Sequence, residues 1–260
     1  MKWSTSVSLM FREHPIAQRL QAARDAGFDG VEIQVLGESS ADDWVNARQA
    51  AGIDVALVNV GMGDFLSGGP GLSGVPDREA EFRIEAEHTL NTARRLACCN
   101  VHVGPSRIPV GQTRAACLEV LVANLEWLRP KADEAGVRLL LEPLNRQETP
   151  NVLLGTVDEA VGLISERLQG RVGLQFDVYH VVLNGEDPVV ALKRVLPQVW
   201  HVQFSDVPGR KAPGLGRIDF VSFFQALKQS GYSGWCGAEY FAMSDTTSTL
   251  AWLPQFKALA

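Results

Sequence analysis

Four side chains with oxygen ligands stand at or near the ends of four apolar runs in the second half of the sequence: Glu142, Asp177, Gln203 and Glu239. Three carboxylates brought together repel one another, and the neighbouring inward positions of these runs offer no lysine or arginine to neutralise them. An all-oxygen set of three carboxylates and one amide suits Mg²⁺ or Mn²⁺ better than zinc. The four residues therefore predict a site for one divalent metal ion.

The run VWHVQFSD, residues 199–206, shows how such a site is positioned. Side chains alternate between the two faces of a strand, so His201 and Gln203 share one face while Val202 and Phe204 share the other. The apolar face predicts packing against helices, and the polar face predicts a position inside the site. Because His201 lies one layer below Gln203, we expect it to orient a metal ligand, with a purely structural role as the alternative.

Eight strand-like runs alternate with helix-like segments such as IAQRLQAARDAG along the chain. The runs are Trp3 to Val7, Gly30 to Val35, Val55 to Asn59, Asn100 to Val103, Arg138 to Glu142, Val172 to Asp177, Val199 to Phe204 and Trp235 to Tyr240. This alternation predicts an α/β fold, a single (β/α)8 TIM barrel over residues 1–260. An open doubly wound sheet is the main rival, but no G-x-G-x-x-G follows the first run. The glycine-rich stretch after the third run predicts a loop over the barrel mouth.

Barrel geometry carries the strand-end residues to one rim, where active sites of this fold lie. A different interpretation stays open, in which the strand-end carboxylates cap helix N-termini or pair with arginines from loops. His102 shares the strand parity of Asn100, so it lines the site or is a hydrogen-bonded core histidine.

Composition limits the classes of partner. The 260 residues carry a net charge of -6, with 46% hydrophobic and 21% charged residues, which disfavours nucleic acid as a partner. No apolar run reaches the length of a membrane span, and the first residues lack the h-region of a signal peptide. We therefore expect a cytoplasmic protein without membrane contact that acts on a small molecule.

Several motifs resemble the hydroxypyruvate isomerase family of xylose-isomerase-like barrels, almost from end to end: EPLN at 142–145, QFDVYH at 175–180, HVQFSDVPGR at 201–210 and GYSGWCGAEY at 231–240. The resemblance implies that Glu142, Asp177, Gln203 and Glu239 bind one divalent metal. It also implies that Glu142 and Glu239 are the catalytic pair that transfers the proton. His180 and Arg210 are implied to approach the substrate.

The resemblance implies isomerisation of a small 2-oxo acid through an enediolate, with hydroxypyruvate giving 2-hydroxy-3-oxopropanoate (tartronate semialdehyde). Further candidates for binding the substrate carboxylate, after Arg210, lie in the loops after the fourth and seventh strands: Arg107, Lys211 and Arg217. The chain departs from the family after the second strand, where Val35, Leu36 and Gly37 replace an aromatic-rich stretch.

That departure keeps a 2-oxo-tetronate isomerase and a ketose 3-epimerase open as alternatives. A non-catalytic metal-binding barrel is the alternative from another class. The DNA-repair endonucleases of this barrel need more histidine ligands than the five present. The oligomeric state stays open, and a homo-oligomer is compatible with the sequence.

Overall fold

Parallel strands form a closed barrel in the computed structural model, which describes residues 1–37, 39–242 and 245–259. Each strand pairs with the strands before and after it, and β8 closes the barrel against β1. The strands are β1 (Lys2–Ser6), β2 (Gly30–Ile33), β3 (Asp54–Asn59), β4 (Asn100–His102), β5 (Arg138–Leu141), β6 (Gly173–Asp177), β7 (Val199–Phe204) and β8 (Trp235–Ala238). The predicted (β/α)8 architecture is confirmed.

Helices fill the connections and surround the barrel. They are α1 (Ile16–Asp25), α2 (Ala41–Ala51), α3 (Glu79–Arg95), α4 (Arg114–Glu134), α5 (Val157–Glu166), α6 (Val178–Leu183), α7 (Pro188–Val195), α8 (Phe220–Gln229) and α9 (Trp252–Leu259). Within the described ranges, no helix combines the length and the apolar character needed to cross a membrane.

Short polar side chains begin several of these helices. The Ser40 hydroxyl accepts a hydrogen bond from the Asp43 N–H, and the Asp43 carboxylate accepts one from the Ser40 N–H, which forms a capping box at α2. Thr156 caps α5 by accepting from the Glu159 N–H. These bonds satisfy backbone donors that have no partner inside the helix. Gly52 ends α2 with φ of 61°, a conformation that glycine adopts without strain.

Strand β7 presents different faces to the barrel interior and to the helices. The Phe204 ring packs edge-on against Phe224 of α8 at 5.1 Å and against Trp252 of α9 at 5.3 Å. On the opposite face, His201 and Gln203 contact a side chain of β2 across the barrel. The alternation read from the sequence therefore separates an apolar outer layer from a polar interior.

Strand β5 ends one residue earlier than predicted, at Leu141. Glu142 follows directly, and Pro143 has no N–H with which to continue the ladder. The chain therefore leaves the sheet where the first carboxylate stands. Strand β8 likewise ends at Ala238, so Glu239 is the first residue beyond it.

The segment between β3 and α3 borders the barrel mouth, as expected for this insertion. Arg107, from the loop after β4, donates to the carbonyl oxygens of Phe65 at 2.9 Å and Gly69 at 2.7 Å. Its guanidinium also lies 4.0 Å from the Phe65 ring centre. Arg107 therefore holds this loop in place, which leaves Arg210 as the stronger candidate for a substrate carboxylate.

Candidate active site

A cavity of about 280 Å³ opens at the mouth, at the carboxyl ends of the strands. Its polar lining includes most of the predicted site residues: His102, Glu142, His180, Arg210 and Glu239. Its apolar lining includes Leu9, Met62, Phe65, Leu144 and Phe241. The cavity therefore combines a charged floor with apolar walls, an arrangement typical of small-molecule sites.

Ligand atoms of Glu142, Asp177 and His180 lie within 4.8 Å of one another. Glu142 and Asp177 come from the ends of β5 and β6, and His180 from the first turns of α6. Asp177 is paired in register with Gln203 of β7. This cluster therefore contains two of the four predicted metal ligands, Glu142 and Asp177, and one predicted substrate contact, His180.

A guanidinium stands among the carboxylates. Arg210, from the loop after β7, places Nη2 3.0 Å from Asp177 Oδ2 and 3.5 Å from Glu239 Oε2. Burial acts to lower the pKa of Arg210, but the surrounding carboxylates, Glu239 foremost, raise it overall. The cation beside these carboxylates therefore comes from a loop and not from the inward positions of the strands.

The two glutamates have raised proton affinity. Burial raises the pKa of Glu142 well above its ordinary value, and the charges of Glu239 and Asp177 raise it further. Burial also raises the pKa of Glu239 to about 7, although Arg210 opposes that shift. One guanidinium does not compensate three carboxylates in a site of low dielectric, so part of their charge is suppressed by protonation.

Asp177 divides its two oxygens between the fold and the site. Oδ1 accepts a 2.8 Å hydrogen bond from the Tyr179 N–H and so caps α6. Oδ2 faces Arg210. The alternative interpretation of strand-end carboxylates thus holds for Asp177, because one oxygen caps α6 and the other pairs with an arginine from a loop.

His180 is held by neighbours at both ring nitrogens. Its Nδ1 accepts from the Asn145 backbone N–H at 3.2 Å and from the Asn145 side-chain amide at 2.8 Å. Its Nε2 lies 3.1 Å from Arg210 Nη2, which can only donate, and 3.5 Å from Asp177 Oδ2. Burial lowers the pKa of His180 to about 4, so the ring is neutral at physiological pH.

His102 lies deep in the same cavity, with Nε2 3.8 Å from Glu142 Oε2. Burial, followed by the neighbouring charges of His201 and His180, lowers the pKa of His102 to about 3. Its Nδ1 has no hydrogen-bond partner within residues 1–37, 39–242 and 245–259. This geometry places His102 at the site, and its proposed contact with substrate remains a prediction.

Gln203 and His201 bond to Glu32 in the barrel interior and are not among the residues that line the cavity. The Gln203 amide donates to Glu32 Oε2 at 2.7 Å and accepts from Gln175 Nε2 at 2.5 Å. His201 Nε2 lies 2.9 Å from Glu32 Oε1. His201 therefore reaches Gln203 through a carboxylate on β2. Ligand roles for Gln203 and Glu239 stay predictions.

Sequence reasoning missed Glu32 and Glu148. Glu32 is buried in the middle of the run GVEI, and a charge inside an apolar strand was the available signal. Glu148 lines the cavity and accepts a hydrogen bond from the Tyr179 hydroxyl at 2.5 Å. No spacing rule connects Glu148 to the site, since a loop brings it there.

The profile of the xylose isomerase-like TIM barrel matches residues 20–257. The chain belongs to that family. A 2-oxo-tetronate isomerase of Cupriavidus necator is 31% identical over 255 residues, which cover 98% of each chain. The hydroxypyruvate isomerase of Escherichia coli is 26% identical, over 99% of this chain and 100% of its own. The prediction of an isomerase-class enzyme is confirmed by these relatives.

A solved structure from Brucella melitensis, named as an AP endonuclease of family 2, superposes with a TM-score of 0.92. It is 31% identical to this chain and covers 98% of both chains. Its close superposition supports the barrel described above over nearly the whole length. The activity in its name belongs to that protein.

The site fits a divalent cation on three observations of its own. Ligand atoms of two carboxylates and an imidazole converge within 4.8 Å. Glu142 Oε1 is buried without a hydrogen-bond partner in the part of the chain that the structure describes. One guanidinium also leaves the three carboxylates undercompensated. A hard cation that prefers oxygen ligands would bind the converging atoms, give Glu142 Oε1 a partner and neutralise the excess negative charge.

The free energy of unfolding of the metal-free protein should fall as the pH rises from 5.5 to 8, because Glu239 loses its proton in the folded state. The folded pKa of about 7 lies above the ordinary 4.5, so the folded state retains a proton that the unfolded chain has released. This contribution to stability is lost as the pH rises through 7. Relative to Glu239→Gln, the wild type should lose about 2 kcal/mol of unfolding free energy across this range.

Urea unfolding in EDTA at both pH values measures that difference. Contributions from the histidines are common to both proteins and cancel. The Glu239 charge also raises the pKa of Glu142, so Glu142 adds to the difference in the same direction. The exposed Glu119→Gln variant should keep the wild-type dependence. Parallel pH profiles for wild type and Glu239→Gln would show that Glu239 titrates normally.

Proposed function

We propose that this protein is a divalent-metal-dependent isomerase that interconverts hydroxypyruvate and 2-hydroxy-3-oxopropanoate. The observation that carries the proposal is the pair Glu142 and Glu239, two carboxyls of raised pKa that face one cavity together with Arg210. The relatives named as hydroxypyruvate isomerase and 2-oxo-tetronate isomerase support the choice of a short 2-oxo acid.

The reaction moves one carbon-bound proton and one hydroxyl proton. A base removes a proton from C3 of hydroxypyruvate, and an acid returns a proton at C2, while the C3 hydroxyl proton passes to the C2 oxygen. No oxidant or reductant is consumed. A carboxyl with a pKa near 7, such as Glu239, can accept and donate protons at neutral pH. Glu142, which lines the same cavity, is the second member of the pair.

Glu142, Asp177, Gln203 and Glu239 would hold the metal, with His180 beside them. A bound Mg²⁺ or Mn²⁺ supplies positive charge that stabilises the negative charge developing on the substrate oxygens. His180 lines the same cavity, and its Nε2 faces Arg210 and Asp177, so the imidazole positions these two side chains beside the substrate. His102, neutral and buried, offers a second imidazole edge near Glu142.

Arg210 is suited to the substrate carboxylate. Its Nε has no hydrogen-bond partner among the described residues, although it is buried. A guanidinium binds a carboxylate through two parallel N–H donors, which a lysine cannot do. Arg210 also lies over the Tyr179 ring, 5.1 Å from its centre, so its plane is supported from one side.

The size of the cavity supports a four-carbon 2-oxo-tetronate as the second candidate substrate. About 280 Å³ exceeds what a three-carbon acid requires. Polynucleotides fit the site poorly, because its floor is acidic and the net charge of -6 repels phosphates. A free ketose lacks the carboxylate that Arg210 would bind.

A substrate panel tests the proposal. Protein dialysed against EDTA should be inactive, and Mg²⁺ or Mn²⁺ should restore turnover of hydroxypyruvate above that of 2-oxo-tetronates and free ketoses. Metal should also raise the melting temperature, because a ligand that binds only the folded state stabilises it. Full activity in a protein shown by metal analysis to be empty would refute the metal requirement. Metal binding without turnover of any panel member would indicate a non-catalytic barrel.

Amide variants of the glutamates separate proton transfer from folding. Glu142→Gln and Glu239→Gln keep an oxygen and the side-chain shape but remove the base, so kcat should fall about 10²–10⁴-fold. The rate at which solvent deuterium enters recovered hydroxypyruvate should fall together with kcat. Glu119→Gln, on the exposed face of α4, is the control that should leave both rates unchanged. Near-wild-type exchange in both site variants would place the proton shuttle elsewhere.

Arg210→Ala, measured at saturating metal, should raise KM for the acid by one or two orders of magnitude. This corresponds to the loss of about 1.5–3 kcal/mol for hydrogen bonds to a charged group. Arg210→Lys keeps the charge but not the two parallel donors, so its KM should lie between those of the wild type and Arg210→Ala. Exposed Arg194→Ala serves as the control. If a free ketose is the best substrate and Arg210→Ala has no kinetic effect, the protein is a 3-epimerase.

A further inference from the structure

Glu32 is a fully buried carboxylate in the barrel interior, beneath the cavity. Oε1 accepts from the Ser4 hydroxyl at 2.7 Å and lies 2.9 Å from His201 Nε2. Oε2 accepts from Gln203 Nε2 at 2.7 Å and Gln34 Nε2 at 3.1 Å. Four groups thus direct donors at two oxygens, so this carboxylate serves as an acceptor only.

That acceptor decides which way the Gln203 amide faces. A primary amide has a donor end and an acceptor end of nearly equal size, and rotating it by half a turn exchanges them. With Glu32 on one side, only the NH₂ end can face the carboxylate. The carbonyl oxygen must then face away from Glu32, where Gln175 Nε2 donates to it.

Strand β8, on the other side of β1 from β2, leaves room for this carboxylate. A Cβ added at Gly237 of β8 would lie 1.8 Å from Glu32 Oε1. Gly237 is paired in register with both Gln203 and Ser4, so it stands at the level of the network. Any side chain at this position would expel Glu32 from its place beside Gln203.

We propose that Glu32 is the positioning residue that fixes the carbonyl oxygen of Gln203 for metal binding. The inference rests on the proposed metal site and adds a residue of β2 to it. Glu32 acts through Gln203 and needs no contact with the metal or the substrate. His201 and Ser4 hold Glu32 in turn, which gives His201 the orienting role expected from its position below Gln203.

Calorimetric titration of the metal-free protein with Mn²⁺ tests this without any assay of activity. Glu32→Gln replaces the acceptor with an amide that can donate or accept, so the Gln203 amide is free to rotate. Mn²⁺ affinity should then fall about 10–100-fold, the usual effect of removing the partner of a metal ligand. Ser4→Ala removes one donor to Glu32 but leaves its bond to Gln203, and should cost much less.

A second pair of variants separates orientation from charge. In Gln203→Glu both ends of the side chain are oxygens, so no orientation has to be fixed. Adding Glu32→Gln to Gln203→Glu should therefore leave Mn²⁺ affinity unchanged or improve it. If Glu32 acted only through its negative charge, Glu32→Gln would weaken binding equally in both backgrounds. The double variant keeps one carboxylate, one amide and the wild-type net charge, so this pair decides the matter even if Glu32→Gln alone fails to fold.

The outcomes distinguish the inference from the function on which it rests. A wild-type protein that binds no Mn²⁺ overturns the metal site itself. A wild type that binds Mn²⁺, together with a Glu32→Gln variant of equal affinity, overturns only the role of Glu32. An equal loss in both backgrounds also overturns it.

Discussion

The barrel interior depends on how each carboxylate is compensated after it has left water. Removing an ionised carboxylate from solvent is very costly unless donors or opposite charges replace the lost hydration. Glu32 meets this condition with four directed donors. Asp177 meets it with a backbone N–H and a guanidinium. Glu142 and Glu239 have too few donors and positive charges around them, and burial therefore raises their pKa values.

This difference divides the interior into two layers with different properties. The lower layer, around Glu32, is saturated with hydrogen bonds, so its side chains have one arrangement. The upper layer, around Glu142 and Glu239, lacks positive charge and therefore retains affinity for protons and cations. Strand β7 joins the layers, since His201 and Gln203 both bond to Glu32 while Gln203 is in register with Asp177. A rigid base under an undercompensated rim suits both metal binding and proton transfer.

Much of this could be predicted from the sequence, because strand alternation and strand-end position are local properties. They predicted Glu142, Asp177, Gln203 and Glu239 at one rim, with His201 one layer below. The structure brings Glu142, Asp177 and Glu239 to the site, whereas Gln203 is bonded to Glu32 in the interior. Arg210 could not be placed among the carboxylates in this way, since its reach depends on a loop conformation with φ of 52° that no periodicity encodes. Glu32 was hidden for a different reason. Its partner Gln203 lies 171 positions away, and only the closed barrel brings them together.

Asp177 shows that the fold and the site share one constraint. Helix α6 has only six residues, too few to be stable without tertiary support. Its first turn is held by Asp177 Oδ1, and that turn carries Tyr179 and His180. Oδ2 of the same carboxylate bonds Arg210. Because one planar group serves both contacts, a rotation of the Asp177 carboxylate toward a cation at the rim would also alter the cap that orients His180. The imidazole and the charge at the rim are therefore mechanically coupled through a single side chain.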